Sequence, residues 1–132
     1  MYTMMQVCRE VDMTYQTLKF YCNEGLIPNV KRDDNNRRIF DEKNLKWIKD
    51  LVCLKKCGMS IQEMKAYLDL CLQGEPTIPL RKEMLEKKQA ELRASIQKLE
   101  ESVAYIDWKQ GFYDEVLSGR RPYVSNLIPV ED

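Results

Sequence analysis

The chain has 132 residues, 44% hydrophobic and 32% charged, and its 21 basic and 21 acidic side chains cancel to a formal net charge of zero. That composition suits one modest core with long, partly exposed helices, and it excludes a global attraction to polyanions; a basic surface can arise only by local segregation. There is no histidine, which removes the commonest general base, the Ser-His and Cys-His nucleophile pairs and every His-containing zinc site.

No apolar run approaches the roughly 18 residues of a membrane span. Met1-Tyr2-Thr3-Met4 lacks the charged and apolar blocks of a signal peptide. A cytoplasmic protein without membrane contact is expected. Cys8, Cys22, Cys53, Cys57 and Cys71 then read as reduced thiols, and their odd number leaves one unpaired in any full disulfide scheme. There is no Gly-rich phosphate loop, and the carboxylates scatter among lysines at helical spacing. The expectation is a protein that is not an enzyme and carries neither cofactor nor metal.

In chain order, a short helix is predicted over residues 3–11, with Thr3 as N-cap and Met4, Val7, Cys8 and Val11 on one face. Asp12-Met13 breaks it. A second helix starts at Thr14 and runs to about Asn23, with Leu18, Tyr21 and Cys22 inward and Gly25 as the stop. Two short helices joined by a tight turn outline a helix-turn-helix. Pro28 forces an extended exit. Two basic arms, Lys31-Arg32 and Arg37-Arg38-Ile39-Phe40, then flank a polar Asp/Asn turn, which reads as a small β-hairpin wing or as an ordinary charged loop. Asp41 caps a third helix to about Cys57, with Leu45, Ile48 and Val52 apolar, and Gly58 ends it. Ser60 and Glu63 form a capping box for a fourth helix whose apolar positions are Ile61, Met64, Leu68 and Leu72.

From residue 76 to about 113, Ile78, Leu85, Leu92, Leu99 and Ile106 recur every seven residues. Ile96 and Val103 fill the other heptad position, which Lys82, Gln89 and Gln110 interrupt. Such a seam with charged flanks predicts a coiled coil. At roughly 50 Å the helix is too long for its own head to cover, so a second copy is the natural cover. The predicted architecture is mostly α: a winged helix-turn-helix head over 1–72, a long dimerising coiled-coil helix over 76–117, and a tail over 118–132 that packs back on the dimer.

The order of elements, together with Met5-Gln6-Val7, Thr17-Leu18-Lys19-Phe20-Tyr21, Glu24-Gly25-Leu26-Ile27-Pro28, Asn35-Asn36-Arg37-Arg38-Ile39-Phe40 and Cys57-Gly58-Met59-Ser60-Ile61, resembles the MerR family of bacterial transcription regulators. The likeness covers the first 72 residues well and the long helix in outline. Where the family has Arg-Tyr-Tyr, this chain has Lys19-Phe20-Tyr21; where it has Gly-Tyr-Arg in the wing, this chain has Asn36-Arg37-Arg38. Lys19 keeps the charge but loses the bidentate fork, and Asn36 keeps access to the left-handed turn conformation.

The resemblance implies a homodimer on a twofold-symmetric promoter site, which it bends and untwists so that RNA polymerase, an indirect partner, can use it. The expected contacts to double-stranded DNA are Thr14, Tyr15, Gln16 and Thr17 in the major groove, Lys19 and Tyr21 on the backbone, and Lys31, Arg32, Arg37 and Arg38 on phosphates. Tyr21 also reads as a core residue, and Phe20 is expected to pack. For the signal, the chain looks closest to the subgroup responding to aldehydes and other thiol-reactive electrophiles, whose characteristic cysteine falls on Cys53. Helical geometry sets Cys53 beside Lys46, Lys49 and Lys56, whose charge favours thiolate; the other reading packs it between the third helix and the dimer helix. Cys8, Cys22 and Cys71 are expected in the core. The rival function is a coiled-coil interaction protein whose helical head binds a protein partner.

Overall fold

The four helices of the head each begin on a side-chain oxygen that takes up an otherwise orphaned backbone N–H. Thr3 caps α1 (Met4–Val11), Thr14 caps α2 (Tyr15–Asn23), Asp41 caps α3 (Glu42–Lys56) and Ser60 caps α4 (Ile61–Leu72). In three of them the cap is reciprocal, since Gln6, Asn44 and Glu63 bond back to the N-cap backbone. α2 and α3 stop at Gly25 and Gly58, whose φ values of 75° and 84° lie in the left-handed region that favours glycine. Past each glycine, the N–H of buried Leu26 or Met59 returns to the carbonyl of Tyr21 or Leu54, so the stop and the apolar anchor coincide.

The computed structural model describes residues 1–130, so the last two residues of the predicted tail lie outside the described range. Three short strands, β1 (Tyr2–Thr3), β2 (Lys31–Arg32) and β3 (Arg38–Phe40), form an antiparallel sheet in the order β1-β3-β2. Phe40 pairs with Tyr2, and Ile39 lies between Thr3 and Lys31. The wing is therefore a hairpin whose inner strand is stitched to the start of the chain, a third strand that the sequence pattern did not announce.

The chain divides into two compact units, residues 1–89 and 90 onward. The first holds the core: Val7 and Val11 from α1, Leu18 and Tyr21 from α2, Leu26, Phe40, then Leu45, Ile48, Leu51 and Leu54 from α3, with Met59 and Met64. α3 thus buries Leu51 and Leu54, while Val52 is only half-buried. α1 and β3 pack on this helix, and Met59 and Met64 join the same core; its apolar stripe is broader than the single row expected. On α4, Met64 and Leu68 are buried but Leu72 is exposed, because the helix ends there and the chain leaves the core through Gly74. A 3-10 turn, Glu75–Thr77, leads into α5 (Ile78–Leu117).

Two side chains of α3 hold the exit strand from α2. The Asn44 amide donates to the Pro28 carbonyl at 2.9 Å, and the Trp47 indole Nε1 donates to the Leu26 carbonyl at 2.7 Å. Among the described residues Asn44 is one of two buried polar residues, Thr77 being the other. Removing its amide strands the Pro28 carbonyl and the Asp41 cap together. Asn44→Ala is expected to lower unfolding stability by about 2 kcal/mol in urea denaturation, more than a surface substitution on the same helix.

Candidate nucleic-acid interface

α2 presents its opening turn to solvent because its inward side is occupied by Leu18 and Tyr21. Tyr15, Gln16 and Lys19 are exposed and Thr17 is half-buried. The Thr14 hydroxyl donates to Thr17 Oγ1 at 2.8 Å while accepting the Thr17 N–H, so the two threonines hold each other in one geometry at the helix N-terminus. Tyr21 is 3% exposed, which favours its core reading over a backbone contact; burial pushes its phenol above the usual range. Phe20, expected to pack, is instead exposed. At 100° per residue it stands about 200° from Leu18, on the opposite side of the helix.

The wing turn is built by its own side chains. Asp33 Oδ1 accepts the backbone N–H groups of Asn35 and Arg37, each at 2.9 Å, and Asn36 adopts φ 61°. The four basic residues then divide. Arg32 donates to the Asn36 carbonyl at 2.8 Å, and Arg38 donates to Asn23 Oδ1 at 2.7 Å, tying the wing to the end of α2. Among the described residues the exposed side chains of Lys31 and Arg37 are drawn into no such bond.

These parts meet. A cleft of about 530 Å³ is lined by Tyr15 at the start of α2, by Met4 and Met5 of α1, and by Arg32, Arg37 and Arg38 of the wing. A second depression of about 330 Å³ brings Gln16, Thr17 and Phe20 against Lys55 and Ile61 at the junction of α3 and α4. Lys55 escaped the sequence reading because it is far from α2 in the chain and one lysine of a lysine-rich helix. Cationic groups therefore border the exposed turn of α2 on both sides, although the whole chain carries no net charge.

The thiols also divide. Cys8 is buried, and burial pushes its pKa up. At half-buried Cys22 burial raises the pKa, partly opposed by the guanidinium groups of Arg38 and Arg32. Cys57 and Cys71 are half-buried, so only Cys8 of the three expected core thiols is fully enclosed. Cys53 is exposed, as are Lys46, Lys49 and Lys56. Among the described residues no three His, Cys, Asp or Glu side chains converge as metal ligands, and no helix is long and apolar enough to cross a membrane.

α5 has no buried residue. In the first unit Ile78 and Leu85, and in the second Leu92, Ile96, Leu99, Val103 and Ile106, are each between 37% and 66% exposed. The tail returns on its own helix through Arg121, which pairs with Glu115 at 2.8 Å and lies over the Phe112 ring. Beyond that point Tyr123, Val124, Leu127, Ile128 and Val130 stay exposed.

Comparison with known proteins bears on this geometry. A model described as MerR HTH family regulatory protein matches residues 2–71, and one described as MerR, DNA binding matches residues 44–108. An HTH-type transcriptional regulator of Haemophilus influenzae is 32% identical over 114 residues, which is 86% of this chain and 84% of that protein. AdhR, an HTH-type transcriptional regulator of Bacillus subtilis, is 37% identical over 87 residues, 66% of this chain and 62% of its own length. The crystal structure of HiNmlR, described as a MerR family regulator lacking the sensor domain and bound to promoter DNA, matches with a TM-score of 0.73 at 32% identity, over 89% of this chain and 93% of that one. With the capped helix-turn-helix, the hairpin wing and the long helix in place, the chain belongs to the MerR family of helix-turn-helix transcription regulators.

Proposed function

We propose that the protein binds a twofold-symmetric promoter site as a homodimer, distorts it, and changes that distortion when Cys53 meets a thiol-reactive electrophile such as an aldehyde. The observation that carries the DNA reading is the cleft between α2 and the wing, lined by Tyr15 on one side and by Arg32, Arg37 and Arg38 on the other. Tyr15 and Gln16 would face base edges, Lys19 and Lys55 would flank the strand, and Lys31 and Arg37 would take phosphates. Arg32 and Arg38 hold the wing in shape and present their remaining donors to the same strand. HiNmlR, bound to promoter DNA, supports the reading.

The exposed seam from Ile78 to Ile106 supports the dimer. Bending a promoter costs on the order of 1–6 kcal/mol, which contacts from two heads supply. HiNmlR is described as lacking the sensor domain, and a signal read inside the head suits that design. Cys53 is exposed on α3, as are Lys46, Lys49 and Lys56, so its sulfur is open to a dissolved electrophile. Addition of the Cys53 thiol across an aldehyde C=O, forming the S–C bond as the carbonyl π bond opens and the thiol proton passes to the oxygen, would shift the balance between two dimer conformations.

The direct test is footprinting on DNA from upstream of the protein's own gene, where a symmetric footprint with a hypersensitive centre is expected; a footprint without one, and without promoter effect, sinks the distortion mechanism. Arg37→Ala is expected to weaken binding equally across sequences and to reduce the salt slope by about 1, measured by titrations at several salt concentrations. Leu99→Lys should leave the head folded yet shift the protein to monomer in analytical ultracentrifugation, with loss of symmetric-site binding. Cys53→Ser should bind the promoter like the parent but leave transcription unresponsive to formaldehyde or methylglyoxal; an intact response removes Cys53 from the mechanism.

A further inference from the structure

The way α5 joins the head poses a mechanical question. Its first three turns belong to the first compact unit, yet none of their side chains is buried, and Ile78, Leu80 and Leu85 all face solvent. Only Arg81, Met84 and Lys88 are half-buried in these turns, so apolar packing contributes a single side chain, Met84, to fixing their direction. Polar contacts remain.

They are concentrated at the corner. Thr77 is 6% exposed. Its hydroxyl lies 2.5 Å from the Leu70 carbonyl and 2.8 Å from the Gly74 carbonyl, and it accepts the Arg81 Nε–H at 3.0 Å. A hydroxyl has one proton to give, and Gly74 has other donors: the Thr77 N–H at 3.1 Å and Arg81 Nη2 at 2.6 Å. The Thr77 proton is thus available to Leu70, near the end of α4, while the guanidinium reaches from the second turn of α5 back over the corner. Gly74 itself sits at φ 88° and ψ −163°, a conformation essentially confined to glycine. Two turns further on, Lys88 meets Glu63 at 3.1 Å, and Glu63 is the residue that closes the capping box at the other end of α4. α4 is thus held at Leu70 through the Thr77 corner that leads into α5, and at Glu63 by Lys88 of α5 itself, two points about 10 Å apart along α4, and two points define a direction.

The geometry points to Thr77 and Arg81 as positioning residues for DNA recognition: they set the angle at which α5 leaves the head, and so the separation and phase at which two heads meet a symmetric site. This rests on the proposed binding of DNA as a dimer. The lever is long enough to matter. A tilt of about 10° displaces a point about 30 Å along a helix by about 5 Å, whereas adjacent base pairs are about 3.4 Å apart. Each base pair also turns the duplex by about 35°, so a head displaced by one step faces the wrong side of the groove.

The test is a spacing scan. Full-length parent, Arg81→Ala, Thr77→Val and Thr77→Ser proteins are titrated against the symmetric site from upstream of the gene, and against duplexes with one or two base pairs added to or removed from its centre. A duplex carrying a single half-site is included. The parent should prefer one spacing by at least about fivefold, the lower range of a typical coupling between sites. Arg81→Ala and Thr77→Val should flatten that preference to within about twofold, while half-site affinity and cooperative thermal unfolding stay close to those of the parent; Thr77→Ser, which keeps the hydroxyl, should behave as the parent. Parent-like spacing discrimination in both Arg81→Ala and Thr77→Val overturns the proposal and leaves the DNA-binding reading intact. A parent protein with no preference for a symmetric site or for any spacing overturns that reading itself, and this proposal with it.

Discussion

The head depends on one short stretch of extended chain being held in place. Between Leu26 and Pro28 the backbone can join neither a helix nor a sheet, and Leu26 and Ile27 are buried. Its carbonyls must find donors inside the protein, since a buried polar group left unpaired costs about 1–3 kcal/mol. Trp47 and Asn44 of α3 supply them at Leu26 and Pro28. The wing grows directly out of this segment, so the two hydrogen bonds determine where the hairpin stands relative to α2. Asn44 also closes the N-cap of α3, and thus one amide ties the exit segment to the start of that helix.

Charge follows from the same economy of position. A neutral chain can present cations to a polyanion only if its anions are placed or employed elsewhere. Asp33 is consumed in the wing turn, Asp41 in a helix cap, Glu63 in a cap and an ion pair, and Glu24 in a pair with Lys65 at 2.8 Å. Asp12 and Asp34 remain exposed near α2, so the cations there outnumber the anions rather than replace them. Arg38 shows the limit of counting charges, because its contact with Asn23 makes it a strut between the wing and α2 as much as a charge.

The parts legible in the sequence were those written in local chemistry. The threonine, aspartate and serine caps, the glycine stops and the Asp/Asn wing turn each depend on a few neighbouring residues, and the structure has each within a residue or two of its expected place. The misses came from tertiary context. β1 is two residues long, too short to carry an alternating pattern, and exists because β3 offers it an edge. Val52 and Leu72 lie on plausible apolar rows, but the core is centred on Leu51 and ends before Leu72. Phe20, expected to pack, is turned outward by helical phase. Lys55 joins the surface around α2 only through a fold contact spanning some 35 residues of chain, which no local pattern encodes.

The seam on α5 carries a consequence for partner choice. Its apolar positions are interrupted by Lys82, Gln89 and Gln110, and a polar side chain within a coiled-coil seam tolerates few arrangements of the opposing helix, because most leave it desolvated without a partner. A purely apolar seam would accept a sliding register or the long helix of a related regulator in the same cell. In the proposed dimer, the interrupted seam would trade some adhesion for discrimination between partners.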